Sequence, residues 1–291
     1  MRPSYMRGSV LFGPIVYSRM AYPLYRWGSV RSIPEDHEMN IHIFVLMAST
    51  MKVILTRSLR KRDELAVREV SKQLAERVLD VVDKGLCSGA GQPIPGRMCV
   101  EAAVCYAMGQ QHSDEPFCVH GNVRAAKIAL NDKPWSSRKA RAKGMRPLAV
   151  AQLGSNGING NQFNKRLSYG LISLILPDAL KESKRQEEKS LLKKMSRARE
   201  GAWRGLLLSY KEEHGLYWGS LIRVLHEIAE DLHSSSAYRS ESLILIASRW
   251  SGMAKNGKAR DARLRSIADV MEKALVGCRS KGSAWLSLCD D

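Results

Sequence analysis

No Cys-x-x-Cys pair occurs in the 291 residues, no long charge-free apolar run is present, and no alternating strand pattern recurs. Each absence excludes something. The best apolar run without a formal charge, Ile43 to Met51, falls far short of the about 20 residues that a bilayer span requires. It reads as a strand or the start of a core helix. Pro14, Arg19, Pro23, Arg26 and Arg31 interrupt the leading segment, so it lacks a charged-then-apolar leader pattern. No membrane insertion and a cytoplasmic location are expected. Six cysteines (87, 99, 105, 118, 278 and 289) are too few for a disulfide-stapled secreted domain and are expected to be reduced and mostly buried. There is no Gly-x-x-x-x-Gly-Lys-Ser/Thr loop, no Gly-x-Gly-x-x-Gly after a strand and no His-Glu-x-x-His, which removes the familiar nucleotide-driven and metalloprotease mechanisms. No cofactor is expected.

Acidic charge is the other scarcity. Lys and Arg number 46 against 29 Asp and Glu, a net charge of +17. The hydrophobic fraction of 44% is that of a folded protein, so the surplus sits on a globular body and favours a polyanionic partner. The surplus is concentrated: residues 91–155 and 156–200 carry a net +5 each.

Three regions are distinguishable. Residues 1–50 hold seven aromatics, no lysine and no sustained helical period. They read either as a poorly ordered aromatic arm or as a non-native extension ahead of a start at Met39, Met47 or Met51. Residues 51–155 read as a helical core domain containing the Cys/His segment, and residues 156–291 as a basic helical bundle domain. Within them, Val67, Val70, Leu74, Val78 and Val81 follow a helical period that stops at Lys84-Gly85. Helices are expected at Met98–Met108, ending at Gly109, and from about Val119 to Leu130. Another starts from a cap at Ser136 or Ser137. Later helices are expected at about 161–176, 178–200, 202–213, 216–233, 239–255 and 259–277, with Pro177, His214-Gly215, Ser234–Ser236 and Asn256-Gly257 between them. The fold class is all-α, an irregular multi-helix bundle on which the apolar tail Ala284–Leu288 docks back.

The stretch from Gly91 to Ser155 carries a recognisable order of signals. A Gly/Pro turn at Gly96 leads into Cys99-Val-Glu101-Ala-Ala, with Cys105 and Gly109 following. A His112-x-Asp114-x-Pro116-x-Cys118 turn comes next, then the helix end Asn131-Asp132, Trp135, and a Gln152-Leu-Gly154 close. This arrangement resembles an uncharacterised group of bacterial and phage-associated helical proteins, and the tail Cys278–Leu288 resembles the group's ending. The resemblance implies a helical fold and no particular activity. The Lys/Arg-, Ser- and Leu-rich second half and Pro147 depart from the group's pattern.

Three constellations compete for function. Cys99 follows a Pro-x-Pro-Gly turn at a helix start, where a thiolate is stabilised. With His112 or His120 as base and Asp114 as orienter it forms an enzyme reading; the apolar helix around it favours an inert buried thiol. Cys99, Cys105, His112, Cys118 and His120 supply zinc-type donors, but their spacings lack two tight pairs, and no metal is expected. Glu101 is expected to be a buried carboxylate paired with Arg97 or Arg124. The leading candidate is the acid-free stretch Lys133, Trp135, Arg138, Lys139, Arg141, Lys143 and Arg146, whose cations suit successive phosphates and whose indole suits stacking on a base. A second cluster, Lys181 to Arg199, is expected to pair with Glu182, Glu187, Glu188 and Glu200 as a solvated helix face.

The resulting expectation is a non-catalytic basic helical module that binds nucleic acid or another polyanion through residues 133–146. The alternatives are a helical protein–protein interaction or structural component, with a protein partner or self-association, and an enzyme with Cys99 as nucleophile.

Overall fold

The computed structural model describes residues 70–215, 219–231 and 239–290, all within one compact unit. The expected arm or extension at residues 1–50 and the run Ile43–Met51 lie outside them. Among the described residues there are ten α-helices and no strand. The all-α expectation holds.

In chain order the helices are α1 (Lys72–Val82), α2 (Val100–Ala107), α3 (Gly121–Asn131), α4 (Arg138–Ala151) and α5 (Gly160–Glu182). They continue with α6 (Gln186–Arg197), α7 (Trp203–His214), α8 (Ser220–Asp231), α9 (Arg239–Gly252) and α10 (Gly257–Gly277). Local chemistry sets their ends. Ser71, Ser137, Asn159 and Asn256 each turn a side-chain oxygen to the N–H three residues on, at 2.9 to 3.3 Å, satisfying a donor the helix cannot satisfy itself. Gly109, just past α2, takes a φ of 69° that a side chain would resist.

Pro177 does not end a helix. α5 runs through it, and the break comes at Ser183. Phe163, Leu167, Leu171, Ile175 and Ala179 are buried at helical spacing on both sides of the proline. Their burial, at about 1.5–3 kcal/mol for each large side chain, outweighs the about 3 kcal/mol that an interior proline costs. Pro177 and Ser173, whose carbonyl loses its donor, are both exposed. Pro147 is likewise accommodated inside α4.

The apolar core is continuous from Leu74 to Leu275. α9 packs on α3, α10 on α4 and α5, and α8 on α5, while α1 and α2 close the other side of α4. Helices from both sides of residue 155 therefore share one interior. The C-terminal segment Lys281–Cys289 forms a 3₁₀ turn that docks on α4. The Gly282 N–H donates to Leu153 O at 2.7 Å, and Arg146 Nη1 donates to Leu288 O at 3.2 Å. No described helix is long and apolar enough to cross a membrane.

Candidate polyanion interface

The stretch 133–146 spans the connection from α3 to α4 and most of α4, and its seven candidate residues do not form one outward ridge. Trp135 is buried at 6% exposure. Its Nε1 donates to Leu130 O at 3.2 Å, and its ring lies so close to Gly144 that a β-carbon there would run into it. It is a core residue and is not available to stack on a base. Arg141 is 8% exposed. Its Nε donates to Asn131 O at 2.8 Å and its Nη1 to Leu86 O at 3.0 Å, while Nη2 reaches Lys133 O at 3.5 Å. The guanidinium thus ties the end of α3 to the chain at Leu86. Arg146 is half-buried, with Nε 3.0 Å from Asp83 Oδ1. Lys139 donates to the Asp83 carbonyl at 2.8 Å. Lys133 is half-buried, and desolvation pulls its ammonium below the usual lysine range. Arg138 and Lys143 remain exposed and make no ion pair with any described residue.

The second cluster takes the opposite course. In α6, Glu188, Leu191, Leu192 and Met195 are buried and fix the inward face. At about 100° per residue, Lys193 and Arg197 fall nearly opposite that face and Lys189 on its flank. They make one row at four-residue steps of about 6 Å. Lys193, Lys194, Arg197 and Arg199 are exposed, Lys189 is half-exposed, and none forms an ion pair with a described residue. The expected carboxylate partners are engaged elsewhere or unpaired. Glu188 turns inward, accepting from Ser183 Oγ at 2.9 Å and from the Gly219 N–H at 2.8 Å. Glu182 faces Arg263 of α10 at 3.8 Å, and Glu187 and Glu200 make no ion pair with a described residue. The pairing expected on this face is therefore replaced by an uncompensated row of cations.

The Cys99 constellation is structural. Cys99 caps α2, its Sγ accepting from the Ala102 N–H at 3.3 Å, and it is 3% exposed. Burial pushes its thiol up to about 11, the reverse of an activated nucleophile. His120 is occupied as the cap of α3, its Nδ1 accepting from the Asn122 N–H at 3.1 Å. Asp114 shares with Cys99 and Asn131 the lining of a cavity of about 50 Å³, too small for a substrate. Among the described residues no three His, Cys, Asp or Glu side chains gather to hold a metal ion. The six cysteines are free of disulfides.

Glu101 is fully buried, but its partner is neither Arg97 nor Arg124. Lys127 of α3, itself fully buried, lies 3.4 Å away, while Arg124 pairs with Glu115 at 2.9 Å. Desolvation pushes Glu101 up and Lys127 down, and each charge partly restores the other. Sequence reasoning missed Lys127, yet its signal was present. It stands in phase with Val123, Ala126 and Leu130, all buried.

Compared with protein-family models, with curated proteins and with solved structures, the chain matches none.

Proposed function

We propose that this protein is a non-catalytic basic helical module that binds a polyanion, nucleic acid first, through the row Lys189, Lys193 and Arg197 of α6. The observation that carries the reading is a run of outward cations without a carboxylate partner on a helix whose opposite face is in the core. Lys194 and Arg199 extend the positive surface, and Arg138 and Lys143 add a smaller one on α4. Such cations release counterions when they neutralise successive phosphates, which makes the affinity strongly salt-dependent and little dependent on sequence. Six unbridged cysteines suit a reducing compartment such as the cytoplasm.

The test is a salt titration of binding to unrelated DNA and RNA sequences. Each phosphate contact removed lowers the slope of log affinity against log salt by about 0.9 on duplex and about 0.7 on single strands. The triple variant Lys189→Gln, Lys193→Gln, Arg197→Gln is expected to lose about 2 to 3 units of slope, with its helical content unchanged. Absence of wild-type retention on both DNA and RNA near a low salt of about 50 mM overturns the reading.

A further inference from the structure

Alongside the cation row, between α6 and α7, lies an open groove of about 380 Å³, large enough for a small ring system. Its α6 wall carries Glu187, Ser190 and Lys194; its α7 wall carries Ser209, Tyr210, Glu213 and His214. Leu191 and Leu206 supply apolar surface. The Tyr210 and His214 rings lie 4.5 Å apart, centroid to centroid. Ser190 precedes Arg197 by seven residues and so stands within about 20° of it around the helix axis, which sets the groove directly beside the row.

We propose that this groove takes one unpaired base of a nucleic-acid strand whose phosphates lie along Lys189, Lys193 and Arg197, an inference that rests on the polyanion-binding reading above. The charge pattern selects the occupant. A duplex keeps its bases stacked and paired inside the helix and has none free to enter the groove. A base edge bearing an exocyclic amino group donates to a carboxylate, as cytosine N4 does. The exposed His214 ring, packed on the buried Tyr210 ring, gives that base one stacking face. Ser190 and Ser209 supply small hydroxyl donors and acceptors, and Lys194 holds the adjoining phosphate. The preferred substrate class is therefore single-stranded nucleic acid with an amino-bearing base, not duplex.

The full chain is titrated with an oligo-cytidine strand, an oligo-thymidine strand and a duplex at matched salt. Tighter binding of the cytidine strand is expected. The variant His214→Ala is expected to weaken that binding by about tenfold and to leave duplex affinity unchanged. A second measurement needs no substitution: light-induced crosslinking of an iodinated cytosine strand to the wild-type chain, mapped by mass spectrometry. Crosslinks at 206–214 support the proposal. Crosslinks confined elsewhere, or duplex bound as tightly as single strand, overturn it while polyanion binding stands. Failure of every nucleic acid to bind overturns both.

Discussion

Residues 91–155 and 156–200 carry the same net charge and treat their ionic groups differently. In the first segment three ionic groups go inward, while Arg138, Lys139 and Lys143 stay exposed. Glu101 and Lys127 are fully buried together, and Arg141 is nearly so, donating to main-chain carbonyls. In the second, α6 keeps its lysines and Arg197 at the surface and buries one carboxylate, Glu188, which ties the chain near Gly219 to α6. What separates the two is the phase of each charge relative to the apolar stripe of its helix. Arg141 shares the stripe of Gly144, Met145 and Leu148; Lys127 shares that of Val123, Ala126 and Leu130. Lys189, Lys193 and Arg197 fall outside the stripe of Glu188, Leu191, Leu192 and Met195. Cation density alone does not distinguish a binding surface from a structural network. Phase does.

The sharpest way to break this contrast is to remove one member of the buried pair. Lys127→Met is expected to cost about 3–5 kcal/mol by leaving Glu101 alone in the interior. The double variant Glu101→Leu, Lys127→Met is expected to recover most of that loss, both read by urea unfolding. Equal instability of single and double variants refutes the ion-pair account. A smaller effect is expected from Arg141→Met, about 2–3 kcal/mol, because the buried carbonyls of Asn131 and Leu86 lose their donor. Its surface counterpart Lys193→Gln is expected to change stability by no more than about 0.5 kcal/mol, read in the same assay. If the two cost the same, the division into inward and outward charge is wrong.

The smallest effect is a pH dependence shared by both halves of the chain. Burial lowers the affinity of His120 and His226 for a proton, so the unfolded chain binds the proton more readily than the folded one. Their contribution is complete above the ordinary histidine value of about 6.5. It declines as pH falls from there toward the depressed folded value. The melting temperature is expected to drop on acidification through that window. His120→Asn, which keeps a capping acceptor, is expected to flatten part of the drop.

Much of the fold was legible because it is local. Ser137, Asn159 and Asn256 announce helix starts through side-chain chemistry that acts within three residues. Gly109 announces an end. Pro177 misled because the cost of an interior proline is local, whereas the burial that offsets it is tertiary. The site was legible only in part for the same reason. Trp135 and Arg141 look like a nucleic-acid surface in one dimension, and the acceptors that hold them, Leu130 O, Asn131 O and Leu86 O, are backbone groups that no side-chain pattern advertises. Glu188 looked like a neutralising neighbour for the α6 lysines; its partners lie at Ser183 and Gly219 instead.

Asp261 of α10 accepts from both the N–H and the hydroxyl of Ser136, just ahead of α4 and 125 residues earlier in the chain. The order of synthesis gives that link a consequence. A ribosome-bound chain that has emerged only to about residue 155 has neither Asp261 to hold the entry to α4 nor α9 and α10 to cover α3 and α4. Its sticky inner surfaces stay wet until the last long helix arrives, because such distant contacts form only after their loop-closure cost is met. Emergence of residues 257–277 is thus the step that covers α4, with 281–289 docking after it, and a chain halted before it is the form most exposed to aggregation and proteolysis.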